Sequence, residues 1–471
     1  MGISKNFIAF ILMLTACTSL FAEPQKKVNL TQDVIKEIRK SIYLSSSDRA
    51  MMNALTNNKL TELALNRDFL TKHKNTLFNH KIKTKGITNQ EHSGRCWLFA
   101  GLNMLRAKVI EEYKLKDFEF SQSYLMFWDK MEKSNFFLES IIETADRDLN
   151  DREVVLFLKN PIGDGGLWSY VVNLIDKYGV VPKEIMPESY NSSNSWLMNS
   201  LIARKLRKDA TILRDMKKNG ENESELEAKK LDMLKVIYKM LVLNLGEPPE
   251  AFEWRYEDRE ENVSEAKTYT PKEFYKKVVS EDLNHYVALM NYSGQEYDTL
   301  LQFDQSRNIY ERNDPQYANL QIEKMKELAF KSILDDEPVW FACDIIKDGD
   351  PKRGILSPEI IDYSSVYGVK IELNKEERIR YRDSYANHAM VFTGVDVKGG
   401  KPIKWLVEDS HGSERGHSGH WSMYNDWFDK YVYVVIINRE YLSPRVKDIF
   451  KQKPKHLPPW DPMIAILKKN K

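Results

Sequence analysis

Residues 89–97 read Asn-Gln-Glu-His-Ser-Gly-Arg-Cys-Trp, and they lead into the clearest helical pattern of the chain, from Ser93 to Tyr113. Large aliphatic residues recur in this segment at spacings of three and four, namely Leu98, Leu102, Leu105 and Val109. That spacing places them on one face of a helix, which indicates that the helix packs against a core. Cys96 lies in the first turn of the predicted helix.

The position of Cys96 favours a reactive thiolate. The first turn of a helix carries the positive end of the helix dipole, which stabilises a negative charge, and Arg95 adds a second positive charge. The thiolate is the nucleophilic form of cysteine. Gly94 allows close backbone approach, so that free N–H groups and the side-chain amide of Gln90 can bind an oxyanion. On these residues alone, a helix that merely begins near a cysteine stays an open interpretation.

A thiolate nucleophile needs a base, and His388 is the best placed of the 9 histidines. It begins the apolar segment His388–Val397, which predicts a buried strand and therefore a rigid support for an imidazole. Asp409 ends the next predicted strand, where its carboxylate can accept the ring N–H and stabilise an imidazolium. Taken singly, the two residues also fit a satisfied core histidine and a turn-forming acid.

These segments together resemble the papain-like cysteine peptidases, and specifically the branch of bleomycin hydrolase and aminopeptidase C. Residues 90–100 read Gln-Glu-His-Ser-Gly-Arg-Cys-Trp-Leu-Phe-Ala, which is similar to the run around the cysteine in that branch. Similar runs outside the catalytic segments are residues 121–130, 163–166, 177–183 and 457–463. The resemblance extends from about Leu30 to the end of the chain.

The resemblance implies an α+β, papain-like fold of two lobes with a cleft between them. A helical lobe would carry Cys96 on its central helix, and a β-barrel-like lobe would carry His388. Cys96 would be the nucleophile and His388 the base, Gln90 would donate to the oxyanion, and Asp409 falls where the family usually has Asn. The implied enzyme removes N-terminal residues from peptides through a thiolate–imidazolium pair and an acyl-enzyme, with no cofactor and no metal. Relatives form homohexameric rings, and their C-terminal arm lies in the cleft and limits cleavage to free N termini.

Three features depart from the family pattern. Asp409 in place of Asn favours a charged His388, which strengthens the ion pair or over-stabilises it and slows proton delivery. His411 stands where the family has a Trp that shields the contact to His388, so we expect a weaker contact or a stronger pH dependence. The tail at residues 464–471 is longer and would fill the cleft unless it is trimmed. The alternative to an active aminopeptidase is therefore a catalytically impaired homologue that binds or scaffolds.

The organisation of the chain follows from composition and the resemblance. Residues 192–245 are rich in Lys, Glu, Leu and Met, with Asn219-Gly220 as a break, and they predict a helical insertion. We divide the chain into a signal peptide (1–22), a mainly helical lobe (30–190), a helical insertion (191–310), a β-rich lobe with the catalytic His (311–450) and a C-terminal arm (451–471).

Secondary structure outside the nucleophile helix is predicted from the same patterns. Helices are expected at Leu30–Tyr43 and at Trp168–Tyr178, where Gly179 ends the second one. Strands are expected after about Glu337, at Val339–Asp344, His388–Val397, Lys404–Glu408 and Tyr431–Asn438.

The N-terminal segment predicts export. Lys5 precedes an apolar run at residues 7–14 that is shorter than the roughly 20 residues of a membrane span and suits a signal peptide. Leu14–Cys17 resembles the lipoprotein box, after which Cys17 would carry a lipid that anchors the protein to a bacterial membrane. Cleavage after Ala22, which would release a free periplasmic protein, is the competing interpretation, and a buried N-terminal helix is a third.

The cysteine and charge content limits the other possibilities. Cys17, Cys96 and Cys343 provide no disulfide framework, and Cys343 lies in an apolar run that predicts an inert core thiol. The formal net charge is +1, from 70 basic and 69 acidic residues, which gives no global attraction to nucleic acid. The basic segment Lys451–Lys455 fits a solvated surface.

A metal-dependent hydrolase is the remaining alternative on the sequence. It rests on His411, His417 and His420, which lie close together in the sequence. Their spacing lacks the helical His-Glu-x-x-His pattern, and Gly412 and Gly416 between them indicate a flexible loop. We therefore expect thiol chemistry rather than metal chemistry.

Overall fold

The computed structural model describes residues 29–73 and 75–464, which fall into two compact units divided after Leu63. The predicted signal peptide with Cys17 and the tail at residues 465–471 lie outside the described residues. None of the helices in the described part of the chain has the length and hydropathy of a membrane span.

The unit up to Leu63 consists of short helices. They are α1 (Gln32–Ser41), α2 (Ser46–Asn57) and α3 (Leu60–Leu63). The Thr31 side chain accepts from the Val34 N–H at the start of α1, which corresponds to the helix predicted at Leu30–Tyr43. A capping box between Ser45 and Asp48 begins α2.

The unit from Ala64 onward contains the remaining helices and all the strands of the described residues. Its helices are α4 (Arg67–Lys72), α5 (Cys96–Glu112), α6 (Gln122–Glu143), α7 (Arg152–Lys159), α8 (Trp168–Tyr178), α9 (Tyr190–Ser193), α10 (Trp196–Lys218), α11 (Glu223–Leu245), α12 (Pro271–Phe274), α13 (Ile322–Leu334), α14 (Tyr363–Tyr367), α15 (Lys375–Arg380), α16 (Asn425–Tyr431) and α17 (Pro444–Ile449). A π-helical turn at Tyr275–Val279 and 3₁₀ turns at Leu283–His285 and Arg439–Tyr441 complete them.

The strands form one large mixed sheet and a separate hairpin. They are β1 (His80–Lys81), β2 (Phe252–Trp254), β3 (Lys267–Tyr269), β4 (Tyr286–Met290), β5 (Thr299–Phe303), β6 (Gln316–Asn319), β7 (Val339–Cys343), β8 (Gly349–Asp350), β9 (Ile355–Leu356), β10 (His388–Lys398), β11 (Lys401–Glu408), β12 (His420–Tyr424), β13 (Val432–Asn438) and β14 (Lys455–Leu457). The 12-stranded sheet has the order β14-β5-β6-β4-β13-β7-β10-β11-β12-β9-β8, with β1 paired to β10, and β2 pairs only with β3.

The central helix of the larger unit is α5. Every residue from Cys96 to Ala107 is buried, because α6 and α8 pack on one side of the helix and β7 and β10 on the other. A helix that is apolar nearly all round is stable only in such an interior position. Helix α8 has the bounds predicted for it, and it ends where Gly179 adopts a φ of +74°. A Cβ at Gly179 would clash with the backbone of Pro271, so the turn requires glycine.

The predicted helical insertion at residues 191–310 needs correction. Helices α10 and α11 do flank the break at Asn219-Gly220, but helix ends at Leu245. Residues 252–303 instead contain strands β2 to β5, so the β-rich part begins well before residue 311. Strands β4 and β5 are five-residue apolar segments buried within a sheet, and segments that short show no periodicity that separates strand from helix.

Two large hydrophobic clusters fill most of the larger unit, and a third, small one contains Phe69, Ile355 and Ile360. Of the two large clusters, one surrounds α5, α6 and α8 and extends to Met463 and Ile464, and the other lies between the opposite face of the sheet and α13 and α16. Strands β7, β10, β11 and β13 lie where the sequence predicts strands. The sheet is therefore buried on both faces, and β10 lies between the central helix and the second cluster.

A buried ion pair joins α5 to β11. Arg106 Nη2 lies 2.7 Å from Glu408 Oε1, and both side chains are almost completely buried. Burial raises the pKa of Glu408 although the charge of Arg106 opposes that shift. Because Cys96 begins α5 and Asp409 follows Glu408, this pair fixes the helix that carries the thiol to the strand that leads to Asp409.

We expect Arg106→Ala to destabilise the fold by about 3–5 kcal/mol, because it leaves the Glu408 carboxylate buried without a partner. The free energy of unfolding measured with urea checks this. The double variant Arg106→Met, Glu408→Leu removes both charges and should recover most of the loss. A loss below about 1 kcal/mol for Arg106→Ala, typical of an exposed pair, would contradict the expected burial of charge.

Candidate active site

The loop before α5 is held by a buried aspartate. The Gly94 N–H donates to Asp164 Oδ2 over 2.9 Å, and the same carboxylate accepts from Lys130 Nζ at 2.6 Å and from Asn199 Nδ2 at 2.7 Å. Burial alone would raise the pKa of Asp164, but the Lys130 charge and these hydrogen bonds hold it well below its usual range. A Cβ at Gly94 would come within 2.9 Å of the Asp164 Cβ, so the close approach requires glycine. Cys96 thus begins its helix from an anchored loop.

The Arg95 side chain has a different role from the one predicted. Its guanidinium forms a two-pronged ion pair with Glu188, at 3.0 and 2.7 Å, and its Nε donates to Ser93 Oγ at 2.9 Å. The charge of Arg95 is therefore neutralised by Glu188. The positive charge next to Cys96 comes instead from His388.

His388 and Asp409 meet across the hairpin of β10 and β11. His388 is the first residue of β10 and pairs with Cys343 on β7, and Asp409 follows the last residue of β11. The antiparallel register therefore brings the start of one strand beside the end of the other. His388 Nε2 lies 2.8 Å from Asp409 Oδ1, and both side chains are buried. This bond leaves Nδ1 of His388 for Cys96.

Against the effect of burial, His388 shifts the pKa of Cys96 and of Asp409 toward the charged forms, and they do the same for His388. Burial would raise the pKa of Cys96, but the charge of His388 and hydrogen bonds from its ring and from the Ala389 backbone together lower it. Burial would likewise lower the pKa of His388, but the charges of Cys96 and Asp409 raise it to about 10. The pKa of Asp409 is held well below its usual range, because the charge of His388 outweighs burial. The arrangement thus favours a thiolate, an imidazolium and a carboxylate.

The Gln90 side chain is held by hydrogen bonds in the loop before α5. Its amide Nε2 donates to Ser93 O, and its Oε1 accepts from Ser410 Oγ, each over 2.7 Å. Because an amide nitrogen carries two hydrogens, one is left to donate to a ligand. The Gln90 backbone N–H also donates to Ser410 O at 2.7 Å, and Asn89 forms a β-bridge with His411. The loop before the helix is therefore paired to the loop after β11.

His411 does not leave the contact to His388 open to water, as the sequence led us to expect. Its Nδ1 lies 3.1 and 3.0 Å from the two carboxylate oxygens of Asp409, and its ring centre is 5.1 Å from that of His388. The His388 and Asp409 side chains are only 6% and 3% exposed beneath it. His411 therefore covers the contact and adds a second imidazole to the same carboxylate.

Two supporting residues were missed on the sequence. Asp164 lies between glycines in a segment quoted only for its resemblance, although an Asp flanked by glycines is typical of a carboxylate that receives backbone N–H groups. Ser410 orients Gln90 and has no local signal, because the contact joins residues 320 positions apart.

The other predicted ligands and thiols lie elsewhere. His417 and His420 bond to each other through their backbones, whereas His411 contacts Asp409, so these histidines do not converge on one point. Cys343 is buried, and burial raises the pKa of its thiol well above the usual value, which fits an inert core residue.

The described part of the predicted C-terminal arm packs against the larger unit. Strand β14 pairs in parallel with β5, the Trp460 ring stacks on Arg152 at 4.0 Å, and Asp461 bonds to the Tyr292 hydroxyl. Ile464 is buried and lines a cavity of about 90 Å³ together with Gly163 and Gly165. Those glycines flank Asp164, so the arm ends beside the loop that supports Cys96.

Comparison with known proteins gives consistent matches over most of the chain. Residues 29–464 match the model of the Peptidase C1-like family. Aminopeptidase C of Lactobacillus delbrueckii subsp. lactis is 39% identical over 83% of this chain and 88% of its own. Bleomycin hydrolase of Homo sapiens is 36% identical over 88% of this chain and 93% of its own. The crystal structure of PepW from Lactobacillus rhamnosis HN001 superposes with a TM-score of 0.89 at 37% identity, covering 92% of this chain and 98% of that one.

The charge assignment predicts the pH dependence of alkylation at Cys96. Because its pKa is lowered, Cys96 should react with iodoacetamide at pH values well below the usual thiol pKa of about 8.5. His388→Ala should move the onset above that value, because burial then acts without an opposing charge. Mass spectrometry of the Cys96 peptide over a pH series measures both. His417→Ala is the matched control and should leave the onset unchanged, and an onset unmoved by His388→Ala would contradict the ion pair.

Proposed function

The chain belongs to the Peptidase C1-like family and is a papain-like cysteine aminopeptidase, and we propose that Cys96, His388, Asp409 and Gln90 perform its reaction. The family membership and the α+β papain-like fold expected from the sequence are both confirmed. The observation that carries the proposal is the 2.8 Å contact of His388 with Asp409, at the start of a strand packed against the Cys96 helix.

In the first half of the proposed reaction, Cys96 Sγ attacks the carbonyl carbon of the first peptide bond. The oxyanion accepts from the Gln90 amide and from the backbone N–H at the start of α5, which has no partner within the helix. His388 then donates its proton from Nδ1 to the leaving nitrogen, and the C–N bond breaks. The products are a thioester on Cys96 and a peptide shortened by one residue.

In the second half, water attacks the thioester. His388 accepts a proton from the water, the C–S bond breaks, and the free amino acid leaves with its new carboxyl group. The proton on His388 and the thiolate on Cys96 restore the starting ion pair. Asp409 stays ionised throughout, because its low pKa follows from two imidazoles on one carboxylate.

The order of the C-terminal arm supports a preference for free N termini. Arm residues 455–464 are fixed by strand pairing, by Trp460 on Arg152 and by the burial of Ile464. The arm ends beside the 163–165 loop that anchors Gly94 through Asp164, which supports an arm that occupies the cleft on one side of the scissile bond. We propose that this arm makes the enzyme an exopeptidase.

Export and self-association are further parts of the proposal. The N-terminal apolar run and the box ending at Cys17 support export, with either a lipid anchor or a free periplasmic form.

Self-association is supported by apolar side chains on the helical hairpin of α10 and α11, where Trp196 is 60%, Leu197 56% and Leu243 76% exposed. We propose a homo-oligomer, which the resemblance suggests is a hexamer.

Aminoacyl fluorogenic amides and their N-acetylated counterparts test the main proposal. We expect cleavage of the free-amine substrates alone, lost by roughly 10³-fold or more in Cys96→Ala. Cleavage of blocked substrates would mean that the arm does not enforce a free N terminus. If folded protein shows no thiol-dependent cleavage with the residues after Ile464 either present or removed, the enzyme proposal fails and a binding or scaffold role replaces it.

The carboxylate at position 409 predicts an alkaline shift of the activity profile. The productive pair exists above the lowered pKa of Cys96 and is lost as pH rises through the His388 pKa of about 10. In Asp409→Asn the ring keeps a hydrogen-bond partner but loses the negative charge, so the alkaline limb of kcat/KM should move to lower pH. Profiles of both proteins measure this, and coincident alkaline limbs would contradict the role of the Asp409 charge.

A further inference from the structure

We propose that His388, Asp409 and His411 form a binding site for a divalent transition-metal ion of the zinc class, and that the bound ion reversibly inhibits the peptidase. Within the described residues, these three are the group of His, Cys, Asp or Glu side chains whose ligand atoms all lie within 4.8 Å of one another. Inhibition rests on the proposed function, whereas binding of the ion does not.

The ligand atoms are close to the spacing of a real coordination shell. His388 Nε2 is 2.8 Å from Asp409 Oδ1, and His411 Nδ1 is 3.1 and 3.0 Å from the two carboxylate oxygens. Ligands on a tetrahedral zinc ion, with bonds of about 2.0–2.2 Å, stand roughly 3.3 Å apart. A small outward movement of the three side chains therefore admits an ion.

The donor set selects the kind of ion. Two imidazole nitrogens and one carboxylate suit zinc and its neighbours among the transition metals, whereas Ca²⁺ and Mg²⁺ need shells made mainly of oxygen. His411 supplies the route, because its side chain is 23% exposed while His388 and Asp409 are buried behind it. The coordination positions that the protein leaves open would be filled by water.

Occupation of this site is incompatible with the reaction. An ion bound at His388 Nε2 displaces the proton of that nitrogen to solvent and replaces the hydrogen bond to Asp409. The outward movement that admits the ion also takes the ring away from the position set by its hydrogen bond to Asp409. The metal-bound ring keeps its one proton on Nδ1 and is a weaker acid than an imidazolium, so it donates that proton poorly to the leaving nitrogen. The ion is thus an inhibitor and not a cofactor.

The site arises from two of the three features in which this chain departs from the pattern it resembles, namely Asp409 and His411. An Asn in place of Asp409 offers no carboxylate, and a Trp in place of His411 offers no second imidazole. The variants Asp409→Asn and His411→Trp therefore each remove one ligand. His411→Phe removes the same ligand with a smaller change in ring size.

Titration calorimetry of Zn²⁺ into the Cys96→Ala variant tests binding, because this protein has neither the thiolate as a ligand nor turnover. We expect one ion per chain, and a loss of affinity of more than about 100-fold when His411→Phe or Asp409→Asn is added. His417→Ala is the matched control, since that exposed histidine lies on the same loop outside the cluster, and it should leave the affinity unchanged.

Activity assays test inhibition in the same series without the Cys96 change. Zn²⁺ should inhibit the parent protein, and EDTA should restore its activity. His411→Phe should need at least about tenfold more Zn²⁺ for half inhibition, with its own metal-free rate as the reference. No binding to Cys96→Ala would assign any inhibition to the thiol and overturn the proposal, as would equal binding by His411→Phe. If no substrate is cleaved without metal, the proposed function fails, and calorimetry still decides the site.

Discussion

The constraint on which the proposed active site depends is that a negative charge must be favoured on a buried sulfur atom. A thiolate in an apolar interior is stable only if positive charge and hydrogen-bond donors are fixed around it. Here a helix terminus, the imidazolium of His388 and the N–H of Ala389 provide them. His388 in turn needs Asp409, so one charge is stabilised by the next, from the helix to the sheet. Removal of any member leaves the others buried without compensation.

These interactions between charged groups require that helix α5 and the sheet be held at a fixed distance and orientation. Pairing of residues 88–90 with residues 410–412 joins the two loops at the site itself. The Arg106–Glu408 pair joins helix α5, which follows the first loop, to strand β11, which precedes the second loop. Both links connect segments about 300 residues apart in sequence, so the site forms only in the complete tertiary structure. Catalytic geometry and overall stability are therefore coupled.

The sequence predicted the elements that carry the site better than the contacts within it. Helices α5 and α8 and strands β10 and β11 have strong periodicity or clear terminating residues, and the structure has them where they were expected. Contacts that join distant segments leave no local signal, which explains why the roles of Asp164 and Ser410 were missed. On the sequence, His411 was interpreted only as the loss of a shielding Trp. That Asp409 accepts from this second imidazole follows from the tertiary arrangement and not from either residue alone.

The ordered C-terminal arm has a consequence for the timing of biosynthesis. Strand β14 adds to β5, and Met463 and Ile464 complete the hydrophobic cluster that surrounds the nucleophile helix. A nascent chain therefore lacks part of the core around Cys96 until Met463 and Ile464 have been synthesised. A chain in which these two residues have not yet been added is thus an incomplete peptidase.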